Sequence, residues 1–209
     1  MTPQDIEDLF TRSDGQYLCA RWGRPIVPIV FGVEDATLAV VKGACEAVVA
    51  LAGHRMAETD PEMGANLMVF FFRDWEELLE VPDLGGLVPG LDEMVARLVA
   101  AGANQYRMYR FEESGAIRAC FVFLRMDAEM SEVPAEDLAL AQMARSILLW
   151  SDSAFRDRSP LAVTPEGNAV LRPEIAGVIR AVYDPMMPEV ANDPSHALRL
   201  FARIGPAAE

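Results

Sequence analysis

The residue types that carry most hydrolytic and metal chemistry are sparse in this chain. Its only two histidines, His54 and His196, lie far apart, and neither belongs to an H-E-x-x-H motif. In that motif two imidazoles one helical turn apart grip a zinc ion, and the intervening glutamate serves as base for the zinc-bound water. The helical stretch best placed to carry it reads Ala141-Gln142-Met143-Ala144-Arg145. An amide and a guanidinium supply neither an imidazole nor an anionic ligand. No zinc site, no catalytic residue and no cofactor is expected there.

Other constellations are equally thin. The carboxylate pairs Glu76/Glu77, Asp92/Glu93, Glu112/Glu113 and Glu136/Asp137 are adjacent in sequence, so their side chains diverge and suit helix starts and solvated faces. There is no G-x-S-x-G, no phosphate-cradling G-x-x-x-x-G-K and no G-x-G-x-x-G, and Asp83-Leu84-Gly85-Gly86-Leu87 reads as a turn. One rearranged set stays open: Asp152, Asp157, Tyr183 and Asp184 could offer oxygen ligands to a hard cation such as Mg²⁺ or Ca²⁺ in a hydrolase.

Composition narrows the partners. The chain has 209 residues, 52% hydrophobic and 24% charged, with a formal charge of −14. Such a balance supports a packed core and repels nucleic acid. The arginine-rich region Arg107, Arg110, Arg118 and Arg125 is diluted by Glu112, Glu113 and Asp127, and reads as a solvated sheet edge. No uncharged apolar run of about 18 residues occurs, so no membrane span is expected. Cys19, Cys45 and Cys120 are odd in number and widely spaced, as buried free thiols would be. The acidic start Met1-Thr2-Pro3-Gln4-Asp5 lacks a signal-peptide pattern, and a cytoplasmic location is expected.

These side chains must be positioned by a short list of elements. Residues 1–22 read as a lead-in arm with a helix at Gln4–Thr11. Arg24–Phe31 reads as a strand that Pro25 and Pro28 push towards an edge. Glu34–Ala52 is a helix, with Leu38, Val41, Cys45, Val48 and Leu51 in one stripe. Asn66–Phe72 is apolar on both faces and must be central in a sheet. Trp75–Pro89 is loop-like. Leu91–Ala101 is a helix, and Tyr106–Phe111 and Ile117–Leu124 form a hairpin around Glu112-Glu113-Ser114-Gly115. A helix opened by Pro134 runs to about Trp150, and Pro173–Tyr183 and Ser195–Ile204 are helical. The whole is one α+β domain over 1–209: a mixed sheet, a long helix packed on it and a mostly helical part over 170–209.

From about Arg24 onward the chain resembles a bacterial family of uncharacterised, divergent zinc-peptidase-like proteins. The resemblance is carried by Gly23-Arg24-Pro25-Ile26, Asn66–Phe72, Gly115–Phe123, the helix around Gln142, Ser151-Asp152-Ser153 and Ile179–Pro185, with its Tyr183-Asp184-Pro185. It implies a zincin-like fold in which the helix bearing Gln142 and Arg145 is a former metal helix.

The expected function is therefore non-catalytic binding of a peptide or protein. An extended segment would add to the hairpin edge, with Arg118, Gln142, Arg145, Asp152, Tyr183 and Asp184 as the candidate cleft. A hydrolase built on the aspartates is the alternative. A third possibility is an oligomer-forming domain that uses the Met186-Met187 region as its interface.

Overall fold

The computed structural model describes residues 1–204. Along the chain run α1 (Pro3–Asp8), β1 (Cys19–Ala20), β2 (Pro28–Phe31), α2 (Asp35–Leu51) and β3 (Leu67–Phe72). A 3-10 helix (Trp75–Glu80), α3 (Leu84–Leu87) and α4 (Leu91–Ala100) follow. Next come β4 (Gln105–Phe111), β5 (Ile117–Arg125), α5 (Ala128–Ser131) and α6 (Ala135–Ser146). The C-terminal part holds β6 (Leu161–Val163), β7 (Ala169–Leu171), α7 (Pro173–Val182), β8 (Val190–Ala191) and α8 (Ser195–Ile204). The architecture is α+β.

The principal sheet has strand order β2-β3-β5-β4. β2, β3 and β5 are parallel, and β4 returns antiparallel to β5 through the hairpin. β3 is interior and buried on both faces, as its apolar run requires. Its alternation feeds two cores. Leu67 and Val69 join Cys120 and Val122 under α2, α6, α7 and α8. Met68, Phe70 and Phe72 join Phe121 and Phe123 under the 3-10 helix and α4. β2 is an edge strand, and Gly32 ends it at φ +81°, where a Cβ would collide with the Phe71 carbonyl oxygen.

Several expectations are corrected. The lead-in arm is built into the larger core: Ile6, Phe10, Tyr17 and Trp22 are buried, and β1 pairs with β8. Its helix is α1, shorter than the pattern suggests and capped by Thr2. The strand expected over Arg24–Phe31 is β2, which begins only at Pro28, while Ile26 makes only an isolated bridge to Met56. Trp75–Pro89 is a 3-10 helix and a short α-helix, anchored by buried Trp75, Leu78 and Leu84. The β6–β7 hairpin is an addition to the expected elements. The helix after Pro134 stops at Ser146, so the longest helix is α2, with 17 residues against 12 in α6. The 170–209 region is mainly α7 and α8, and its last five residues lie outside the described ones.

Only half of the hairpin can serve as an edge. β5 lies between β3 and β4 and is almost wholly buried, so Ile117–Leu124 has no free side. β4 is the outer strand, and among the described residues no further backbone segment bonds to its far edge.

Candidate functional site

A cluster of polar and cationic side chains lies where β4 crosses the end of α6. Alternation along β4 sends Tyr106 and Met108 towards the α4 core and Tyr109 towards the α6 core. Gln105 and Arg107 share the Tyr109 parity and meet α6. On α6, Gln142 and Arg145 are one turn apart and share a face. Gln105 Oε1 accepts from Arg107 Nη2 at 3.3 Å, Gln142 Nε2 at 3.3 Å and Arg145 Nη1 at 3.2 Å. Arg107 also donates to Gln142 Oε1. Two guanidinium groups thus converge on neutral amide oxygens.

The helix end that carries Arg145 is held by aromatic donors. The last carbonyls of a helix have no partner within it. Here Trp150 Nε1 donates to the Ala144 carbonyl at 3.0 Å, and the Tyr109 hydroxyl to that of Arg145 at 2.9 Å. Trp22 Nε1 donates to the Ser146 carbonyl at 2.9 Å, and the Tyr183 hydroxyl to that of Ile147 at 2.9 Å. These four side chains come from four separate parts of the chain. Each fixes one orphan acceptor, so the position of Arg145 is set by packing rather than by a loop.

The opposite wall is the segment 149–156. Leu149 N–H donates to the Ala20 carbonyl and Ser151 N–H to that of Leu9, while Ser13 N–H donates to Asp152 Oδ1 at 2.8 Å. Hydrogen bonds from Ser13 hold the Asp152 carboxyl below its ordinary range. Phe155 adopts φ +63° and packs edge-on against Trp150, with the Arg145 guanidinium 5.7 Å above its ring. Between this wall and β4 is a cleft of about 560 Å³. Four arginines line it, Arg12, Arg107, Arg145 and Arg156, against the single carboxylate of Asp152.

The charges in the cleft are unbalanced. Neither Arg107 nor Arg145 has an ion-pair partner among the described residues. The Nε of each is buried without a hydrogen-bond acceptor. Burial, and then the neighbouring Arg107 charge, push Arg145 down to about 10. Burial also lowers Arg107. Protein interiors rarely leave such donors unanswered.

Of the residues expected from the sequence, Gln142, Arg145 and Asp152 belong to this place, with Gln142 buried behind Arg107. The other three do not. Arg118 is the extra residue of a β-bulge, since Arg110 faces Ala119 and Phe111 faces Ile117. It pairs with Glu62. Tyr183 is spent on the α6 terminus and on accepting the Trp22 N–H at 3.3 Å. Asp184 pairs with Arg203 at 3.3 Å and accepts from Met186 N–H. Asp157 lies exposed in the bend after the cleft wall. The aspartates therefore do not converge on a cation: among the described residues no three His, Cys, Asp or Glu stand where they could share a metal.

The arginine run is also not a solvated edge. Arg107 enters the cleft, Arg110 crosses to the other face to donate to the Leu87 carbonyl, and Arg125 pairs with Asp127 at 3.0 Å. Sequence reasoning missed Gln105, Arg107 and Tyr109. The signal was present as polar residues at every second position of a strand whose other face is apolar. Both histidines have structural roles. His54 Nε2 meets the Arg24 carbonyl, and His196 Nδ1 meets the Tyr17 hydroxyl at 2.8 Å. The three cysteines are buried free thiols, and burial pushes Cys45 and Cys120 up to about 12.

No protein-family model, no curated protein and no solved structure matches this chain. Among the described residues no helix is long and apolar enough to cross a membrane.

Proposed function

We propose that the protein is a non-catalytic binding domain that takes an extended peptide segment along β4. The observation that carries this reading is the outer edge of β4, which has no strand partner among the described residues and borders a cleft with unpaired cationic donors. A strand edge supplies backbone donors and acceptors at fixed spacing, and an added segment satisfies them while adjacent pockets read its side chains. The aromatic clamp on α6 keeps the cleft wall rigid, so binding needs little reorganisation. If the zincin-like resemblance reflects descent, α6 is a former metal helix whose ligand positions now hold Gln142 and Arg145.

The test is a selection of displayed random peptides on the full chain, followed by hydrogen exchange on the complexes. Peptides that slow exchange of the Gln105–Phe111 amides support strand addition. Peptides that protect other segments, or the absence of any binder, remove it.

A further inference from the structure

We infer that the cleft between β4 and the 149–156 segment selects acidic peptides, and that Arg107 and Arg145 together hold one carboxylate of the bound segment. This assignment rests on strand addition at β4 and names the chemistry of what is added. Both guanidinium groups point at the amide oxygen of Gln105, at 3.3 and 3.2 Å. A carboxylate oxygen is a stronger acceptor for a guanidinium than an amide oxygen. It also offers two oxygens with about four acceptor sites, enough to serve both arginines. The buried Nε atoms of both arginines lack any acceptor. An incoming negative charge would relieve the repulsion between Arg107 and Arg145, which share the site without a counter-ion.

Asp152 does not already fill this role, because its carboxylate is engaged by Ser13 N–H on the far wall. A monoanion suits the site better than a phosphate dianion. The molecule carries a formal charge of −14, and each added negative charge works against that field. The walls next to the arginines are aromatic: Tyr109, Trp150 and Phe155. They would pack against side chains that neighbour the acid. A volume of about 560 Å³ accommodates a few residues rather than one small ion.

The decisive experiment uses the peptides selected on the full chain, with propionate, a monocarboxylate, as a small-molecule probe read by NMR of the arginine and glutamine side chains. Selected peptides are expected to share an Asp or Glu, and its Asn or Gln isostere should bind roughly tenfold more weakly. Arg107→Gln and Arg145→Gln should each abolish the difference between acid and amide peptides while leaving β4 protection by the amide peptide in place. Asp152→Asn keeps an oxygen for Ser13 and removes the competing charge. It should tighten acidic peptides about threefold, and it decides the matter if an arginine variant fails to fold. Selected peptides without an acid that still protect β4 would overturn the carboxylate assignment and leave strand addition standing. A phosphoserine peptide that binds more tightly than its glutamate counterpart would also overturn it. Propionate perturbing Gln105 and Arg145, with no peptide protecting β4, would retire strand addition and reduce the cleft to a small-anion site.

Discussion

Two arginine clusters lie at different ends of the principal sheet, and they are built on opposite principles. At the first, Arg24 donates through Nε to Glu112 at 2.6 Å and through Nη1 to Asp60 at 3.1 Å, and Arg118 joins through Glu62. Asp60 also accepts from the backbone N–H groups of Glu62 and Met63 at 2.9 Å and from Asn66 at 3.1 Å. Asn66, fully buried, spends its remaining capacity on Val27 N–H and the Pro25 carbonyl. Each guanidinium there has a carboxylate partner, although Arg118 Nε is itself buried without an acceptor, and the cluster ties the segment before β2 to the 60–66 loop and the hairpin. At the second, Arg107 and Arg145 have amide and carbonyl acceptors but no anion. A closed ion network reads as structure; an open one, rigidly held beside a free strand edge, reads as a site.

The two clusters make unequal demands on stability. Asp60→Ala strips a buried carboxylate from four donors and should cost about 3–4 kcal/mol in urea unfolding. A cost near zero would mean that the closed network is ornamental. The same group sets an acid transition. Burial opposes its charge, but the hydrogen bonds from Glu62, Met63, Arg24 and Asn66 outweigh that and hold Asp60 at about 2, below the ordinary 3.8. The unfolded chain therefore binds this proton more tightly. Its contribution is complete above about pH 4 and is lost as pH falls through 2. His196 acts in a separate window. Burial and then Arg199 and Arg203 push it down to about 4 from 6.5. The stability it contributes is complete above about pH 6.5 and declines as pH falls through 4. Urea midpoints between pH 7 and 2 should show both declines, and His196→Gln should shrink the upper one while leaving the lower intact, the remainder of the upper decline coming from His54, which burial also lowers.

Tyr109→Phe sharpens the contrast from the other side. It removes the donor to the Arg145 carbonyl at 2.9 Å and to the Leu148 carbonyl at 3.2 Å. The expected loss is about 1 kcal/mol, with a larger proportional weakening of peptide binding because the helix end is freed. The smallest effect is the most diagnostic. Arg145→Gln should change stability by less than about 0.5 kcal/mol, or raise it, since it removes an uncompensated charge beside Arg107. A loss comparable to that of Asp60→Ala would show that Arg145 is a structural residue and that the open cluster is not a site.

Much of the fold follows from local pattern. The unbroken apolar run of β3 demands burial on both faces and obtains it from two cores. The stripe of α2, the hairpin turn and the proline-marked edge of β2 are legible for the same reason: side-chain periodicity is set by backbone geometry over a few residues. The burial of the N-terminal segment is not legible, because Ile6, Phe10, Tyr17 and Trp22 are spaced by turns and no period announces it. Of the cleft, the sequence points to Gln142, Arg145 and Asp152, the first two by their place on one helix face. Arg107 escapes notice because its neighbours in sequence, Arg110 and Arg118, leave it for other surfaces in space.

The amino-acid sequence on its own determined the α+β pattern, the interior strand and the lack of a metal-binding helix motif, all of which depend on residue type and short-range spacing. Only the tertiary structure decided which arginines are neutralised. Arg24 finds Asp60 36 residues away and Glu112 88 residues away, while Arg107 finds an amide 35 residues away. Electrostatic satisfaction depends on which distant groups the chain brings within a few ångströms, and no local rule encodes that distance.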